Sequence, residues 1–549
     1  MAEIPIAYEL AKKQREIGVA EFFARNRHLL GFDNKRKALL TTIKEAVDNS
    51  MDACEEAGVL PDISVEVIDM GSDRFRIIVE DNGPGIVKKQ IPQVFARLLY
   101  GSKFFKLSQT RGQQGIGISA SVLYGQLTTG MPARITSKIS PKDPAHYYEL
   151  KIDTQKNMPE IVKDEIKEWK KEHGTRVEID IEGSYLGGSQ SVDQYLKQTA
   201  IVNPHTNITY TNPKAEQIIF SRATNTPVKQ PEEIRPHPYG VELGILITML
   251  KGTQARTLQA FLTTEFSRVG PGTAKEICKN AALLPNTKPR DIVIEMAEQL
   301  LRGISSTKII APPASCIMPI GEDLLEKGLR KEINAEFYCA TTRPPAVYRG
   351  NPFVVEAGIA YGGEQSQEET VRLMRYANRV PLLYQHGACA ITKAITSTVW
   401  RNYGLNQSKD ALPAGPATIV VSINSVWVPF TSESKEAIAH YPEIIKEIKL
   451  ALQESGRKLS VYIHKKRKIQ IEGAKRGYIE KYIPHVADAL KELVGYKESD
   501  KEKVKSLLKE ILEKKRGKLE NIEIENPDYD EEFAKIGKEE NDEGSEKDG

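Results

Sequence analysis

Glu45-Ala46-Val47-Asp48-Asn49, Asp81-Asn82-Gly83-Pro84-Gly85 and Gly112-Gln113-Gln114-Gly115-Ile116-Gly117 follow one another in the first quarter of the chain. The first lies within Lys37–Ala57, where Leu39, Leu40, Ile43, Val47 and Met51 recur at helical spacing and acidic and amide residues take the other face. Glu45 and Asn49 therefore share one helical face, a turn apart. A carboxylate there can orient and deprotonate a water, and an amide oxygen can ligate a hard cation such as Mg²⁺. The second segment closes a strand. Ile63–Val67 and Phe75–Glu80 alternate with period two, and turn residues follow. Asp81 at such a strand end can accept from an exocyclic amine, while Gly83 and Gly85 let a ring approach the backbone. The third segment precedes the apolar run Ile118–Leu123, and glycines ahead of a helix expose backbone N–H groups that suit phosphate. Singly, each also fits a plainer reading: a chance pattern, a hairpin turn, a mobile glycine loop. With further strands at Arg134–Ile139 and Thr175–Ile181, the order predicts an α+β sandwich with helices on one face of a mixed sheet.

Outward from this block, Gln230-Pro231 to Pro238 is broken by proline and reads as a linker. Gly244–Leu250, Thr257–Thr264, Gly272–Leu283 and Pro289–Leu301 then form an all-helical insert. A third block follows Ala311-Pro312-Pro313. It is expected to hold strands at Phe353–Ala360 and Ala417–Val428, helices at Glu368–Asn378 and Ser434–Gln453, and a strand pair around Lys458–Ile471. Strand, helix, strand at this spacing predicts a right-handed βαβ crossover. The expected domains are 1–228, 229–306, 307–495 and a charged, disordered tail at 496–549.

The 549 residues carry 77 basic and 74 acidic side chains, a formal charge of +3. That average conceals an acidic end: residues 523–549 hold 12 acidic and 3 basic residues, so the remainder has 74 basic against 62 acidic, or +12. An excess this modest excludes a uniformly basic nucleic-acid face and leaves room for localised DNA contacts. Five scattered cysteines with no Cys-x-x-Cys pair argue against a disulfide framework or a zinc knuckle. No secretory leader or run of the ~18–20 apolar residues a membrane span needs is visible, so a cytoplasmic protein is expected.

No Gly-x-x-x-x-Gly-Lys-[Ser/Thr] occurs, which excludes a P-loop. In order and spacing, the three segments instead resemble the GHKL ATP-binding fold shared by gyrase, heat-shock chaperones, histidine kinases and mismatch-repair ATPases. Gly174-Thr175 looks like that fold's fourth element. Within it, Glu45–Ala53, Tyr100-Gly101-Ser102-Lys103-Phe104, Arg111–Ile118, Arg375–Leu383 and Val428-Pro429-Phe430-Thr431-Ser432-Glu433-Ser434-Lys435-Glu436 are similar to DNA topoisomerase VI B subunits, from about Ala11 to Leu493.

That resemblance implies a helix-two-turns-helix insert and a transducer domain. It implies Glu45 as general base, Asn49 as the Mg²⁺ ligand, and Asp81 with Thr175 at adenine, beside Gly83 and Gly85. Ser102 and Lys103 would meet the nucleotide from a lid loop, and Arg111, Gly112, Gln113, Gln114, Gly115, Ile116, Gly117 and Ile118 would wrap the phosphates. Lys435, expected in the first turn of a helix, would be the switch lysine reaching the γ-phosphate. ATP would join two B subunits around double-stranded DNA through an exchanged segment, Met1 to about Gly18. Cleavage would belong to a separate A subunit in an A₂B₂ assembly acting on the nucleoid. The alternative is a chaperone-like or mismatch-repair-like clamp of the same fold. Glu178-x-Asp180-x-Glu182 reads as one solvent face of a strand rather than a cleavage centre.

Overall fold

Asn34 begins the architecture: its side chain accepts from the Lys37 N–H at 2.9 Å and caps a long helix. In the computed structural model, which describes residues 10, 11, 14, 16–103, 106–112, 115–432 and 434–516, that helix is α2 (Lys35–Glu56), preceded by α1 (Val19–Arg25). Strands β1 (Asp62–Asp69) and β2 (Arg74–Glu80), helices α3 (Ile91–Ala96) and α4 (Gly117–Thr129), and strands β3 (Ala133–Lys138), β4 (Ala145–Asp153), β5 (Met158–Lys167) and β6 (Gly174–Glu182) follow. Helix α5 (Val192–Val202) and strands β7 (Asn207–Thr211) and β8 (Gln217–Phe220) complete the block.

The eight strands form one sheet in the order β5-β4-β3-β6-β2-β1-β7-β8. Only β1 and β7 pair in parallel, so the sheet is mixed, as expected. Alternation decides which face is covered. Ile63, Val65 and Val67 of β1, Ile77 and Val79 of β2, and Ile179 and Ile181 of β6 bury against Leu39, Ile43, Val47 and Met51 of α2. The α2 stripe seen in the sequence is thus the lid of this core. Asp180 ion-pairs with Arg76 at 2.7 Å and with Arg134, so Glu178-x-Asp180-x-Glu182 belongs to a charge ladder on the sheet rather than to a bare solvent face.

The insert comprises α6 (Leu243–Gly252), α7 (Leu258–Glu265), α8 (Pro271–Asn280) and α9 (Ile294–Ser306), around a core of its own that includes Leu246, Phe261, Ile277 and Leu300.

After α10 (Glu322–Glu332), a second sheet is built from β9 (Phe337–Thr342), β10 (Ala346–Tyr348), β11 (Asn351–Tyr361), β12 (Arg372–Ala377), β13 (Val380–Pro381) and β14 (Ala417–Ser425). Its order is β10-β11-β14-β12-β13, with β9 pairing the later part of the same β11 edge that β10 occupies. Here several expectations fail. The stretch expected as a helix at Glu368–Asn378 contains β12: Leu373, Met374 and Arg375 favour helix intrinsically, but pairing along β14 overrides that preference. Strands β11 and β14 run antiparallel, so they are not a crossover unit. The parallel neighbours are β12 and β14, connected through α11 (Ala390–Thr396). The next helix, α12, starts only at Pro442 and runs 53 residues to Val494, absorbing the strand pair expected at Lys458–Ile471. Alternating Leu459, Val461 and Ile463 imitate a strand, yet extending an existing helix is cheap once nucleated.

The chain divides within α12, after Gly456, into two compact units. The second continues α12 and adds α13 (Lys501–Arg516), helical where a disordered tail is expected, with Lys501 paired to Asp488 at 2.5 Å. The acidic stretch 523–549, Gln113, Gln114 and most of the Met1–Gly18 segment lie outside the described residues. All five cysteines are buried, and none is in a disulfide.

Within the first unit the two sheets meet through a shared core. Ile201 and Val202 of α5 pack with Leu325 and Leu329 of α10 and with Met374, Tyr376 and Val420 of the second sheet. The fit is tight: a Cβ on Gly328 of α10 would sit 2.0 Å from the Ile201 carbonyl oxygen.

Candidate functional site

Beneath α2 lies a cavity of about 910 Å³. Its lining includes Glu45, Asn49, Asp81, Gly85, Ser102, Lys103, Gly112, Gly115, Ile116, Gly117, Ile118, Thr175 and Lys435. Segments separated by almost four hundred residues therefore converge on one space. Two expected residues do not line it, Gly83 and Arg111, and each has another task.

Gly83 serves Asp81. The Asp81 carboxylate accepts from the Gly83 N–H at 2.9 Å and the Thr175 N–H at 3.0 Å through Oδ1, and from the Ser50 hydroxyl at 2.8 Å through Oδ2. Burial raises its pKa, and these three donors oppose the rise. The backbone is equally fixed, because the Asp81 N–H donates to the Thr175 carbonyl at 2.9 Å. Glycine is required at two flanking positions: a Cβ on Gly85 (φ +69°) would lie 2.1 Å from the Lys138 carbonyl oxygen, and one on Gly174 (φ +135°) 2.2 Å from that of Asp81. The result is a rigid, charged acceptor beside an apolar wall, suited to a ring that carries an amine.

At the other end stands Glu45, with Lys44 3.7 Å away. A Cβ on Gly117 would fall 1.7 Å from Glu45 Oε2, so glycine at the head of α4 lets the loop close onto this carboxylate. Asn49, one turn along α2, faces Gly112: a Cβ there would be 3.6 Å from Asn49 Oδ1. Lys103 pairs with Asp52. Behind them, buried Asp48 accepts from the Tyr195 hydroxyl at 2.9 Å, and burial raises its pKa to about 6.

Arg111 points away from the cavity. Its guanidinium is buried against Asp52 (2.9 Å), Glu55 (2.6 Å) and the Asn203 side-chain oxygen (2.6 Å). Burial alone would raise both acids, but their partners outweigh it: the Lys103 and Arg111 charges lower Asp52, and the Arg111 charge with the His205 hydrogen bond holds Glu55 well below the usual carboxylate range. Arg111 thus braces the loop from behind.

Lys435 is not in a helix. It sits in a loop at φ +53°, a left-handed conformation uncommon for a side chain of this size. Burial lowers its pKa, with the Glu45 charge opposing. The next residue, Glu436, ion-pairs with Lys37 of α2 and accepts from the Gln385 side chain at 2.7 Å, while Lys37 also meets Asp33 at 2.9 Å and stacks 5.3 Å over the Tyr384 ring. This latch fastens a loop of the second sheet's domain to α2 and aims Lys435 into the cavity. Its partners, like Ser50, adjoin quoted segments but lack a pattern of their own.

Residues 34–183 match the family profile described as histidine kinase-, DNA gyrase B- and HSP90-like ATPase, and residues 312–475 match the topoisomerase VI B subunit transducer. The B subunit of type 2 DNA topoisomerase 6 from Methanococcoides burtonii is 52% identical over 487 residues, covering 88% of this chain and 78% of that protein. The chain belongs to the topoisomerase VI B-subunit family. Its Archaeoglobus fulgidus relative of the same name is 47% identical over 88% of this chain and 80% of that protein. A third, from Natronomonas pharaonis, is 36% identical over 91% and 85%. As a topoisomerase VI B subunit, the chain is an ATP-binding, ATP-hydrolysing component of a type IIB topoisomerase, with a GHKL domain and a transducer. This decides against the chaperone-like and mismatch-repair-like alternative. Among the described residues, no helix is long and apolar enough to cross a membrane.

Proposed function

We propose that ATP lies in this cavity with adenine at Asp81 and Thr175 and the triphosphate between Asn49, Gly112–Gly117 and Lys435. The observation that carries this is the convergence of Glu45, Asp81 and Lys435 on one space. Glu45 is the general base that orients and deprotonates the attacking water. Asn49 offers the protein oxygen for Mg²⁺. Its amide oxygen, on the cavity wall, is a hard donor of the kind Mg²⁺ accepts beside water and phosphate oxygens. When bound, Mg²⁺ neutralises phosphate charge. Lys435 supplies a second cation from the transducer side, and Lys103 and Ser102 close over the nucleotide.

Because Lys435 belongs to a different domain from Glu45, its position depends on whether a γ-phosphate is present, and hydrolysis is converted into transducer movement. Two B subunits then close around double-stranded DNA, with the segment 1–18 exchanged between them. A separate A subunit cuts the duplex on the nucleoid, in an A₂B₂ assembly. The test is relaxation of supercoiled plasmid by this chain mixed with a topoisomerase VI A subunit. ATP-dependent relaxation that needs both chains is expected, and relaxation indifferent to this chain would refute the proposal.

A further inference from the structure

The stem of the glycine loop, Gln109-Thr110-Arg111, is bonded to the second sheet's domain through its first two residues. Gln109, buried, donates through its N–H to the Cys316 carbonyl at 2.9 Å, and its side chain accepts from the Met318 N–H at 2.7 Å. The same side chain donates to Asn424 of β14 at 3.3 Å, and Asn424 in turn donates at 2.8 Å to Glu356 of β11. Glu356, fully buried, is held by the Ile320 and Gly321 N–H groups at 2.9 and 2.7 Å.

The next residue is held from a turn. Asn378 donates to the Thr110 carbonyl at 3.0 Å and accepts from the Ser425 N–H at 2.9 Å. Asn378 and Arg379 are the two residues joining β12 to β13, and both are buried with positive φ, 50° and 65°. A two-residue hairpin with both φ positive favours Asn and Gly, and arginine there is strained. Strain held in place by a buried network points to a function for the geometry it maintains. The Arg379 carbonyl accepts from Asn203 at 3.3 Å, and Asn203 also meets Arg111, so the third stem residue joins the same turn.

We propose that Asn378, with Gln109 and Asn424, is a positioning device that locks the glycine-loop stem to the transducer sheet, so that loop closure on the γ-phosphate and movement of that sheet are a single event. It is a second link, buried where Lys435 faces the cavity, and it rests on Gly112–Gly117 being the phosphate loop.

Asn378→Gly keeps a residue comfortable at φ 50° while removing both side-chain bonds. In the full chain with its A subunit, kcat for ATP is expected to fall about tenfold with ADP affinity unchanged and the melting temperature lowered only modestly, because the Thr110 carbonyl and the Ser425 N–H each lose a buried partner. Unchanged kcat, or ADP affinity falling as far as kcat, would overturn the proposal. Should the variant melt early, hydrogen exchange on the wild-type chain decides: a non-hydrolysable ATP analogue is expected to slow exchange at both 109–112 and 374–381. Slowing at 109–112 alone refutes the link. Wild-type turnover by Glu45→Gln would refute the site reading itself, an outcome the exchange experiment does not touch.

Discussion

Asp81 and Glu45 line the same cavity and are held in opposite ways. Asp81 has three donors within 3.0 Å and a backbone locked to Thr175, all supplied by α2, the turn after β2 and β6 of one sheet. Around Glu45 the wall is assembled from α2, the head of α4 and a loop of the other sheet's domain. One end is prebuilt and the other is put together from parts that can separate. Nucleotide recognition and nucleotide hydrolysis should therefore come apart under mutation, and only hydrolysis should report on the second sheet.

The sharpest way to break this contrast is Glu45→Gln. Removing the proposed general base should lower single-turnover hydrolysis by about 10²- to 10⁴-fold while ATP affinity by calorimetry stays within a few-fold. Binding lost together with turnover would show the two ends to be one unit. Next comes Asp81→Asn, which keeps one oxygen for the Gly83 and Thr175 N–H groups and replaces the oxygen facing Ser50 with an N–H₂ donor. Affinity for ATP and ADP should fall together by about 100-fold, with kcat at saturation nearly kept, and a selective loss of ATP alone would contradict the assignment of this end. Lys435→Ala should lower kcat about 10- to 30-fold and leave ADP affinity untouched, since ADP lacks the phosphate the lysine would meet.

The smallest effect concerns Asp48, which stands behind Glu45 and faces Lys44, Glu45, Arg111 and Tyr195. Its pKa of about 6 in the folded chain exceeds the ordinary 3.8, so folding takes up a proton between those values. Its contribution to stability is complete below the ordinary value and is lost as pH rises through 6, about 1 kcal/mol from pH 5 to pH 7. Asp48→Asn should flatten that part of the profile in urea unfolding at the two pH values. An unchanged slope would place the titration elsewhere.

The prebuilt end was largely legible in the sequence, because its information is local: helical spacing in α2, a strand ending in Asp81, glycines where backbone crowds backbone. The assembled end was legible only through resemblance. Nothing around Lys435 announces a left-handed loop rather than a helix. The ion pairs that turn Arg111 from the cavity are invisible in the sequence, because its partners Asp52 and Glu55 lie 59 and 56 positions away, where no periodicity connects them. In the second sheet, Arg372–Ala377 has helix-forming residues and becomes a strand only because β14 lies beside it. Long-range pairing decided those elements, and a linear reading has no access to it.

Gly328 marks a closed seam in the molecule. With the Ile201 carbonyl filling the space a side chain would need, and leucines of α10 sealing the surroundings, the two sheets cannot draw apart here without opening a packed core. Any rearrangement of the Lys435 loop relative to α2 must therefore leave this contact closed, which restricts it to movements that keep α10 seated on α5.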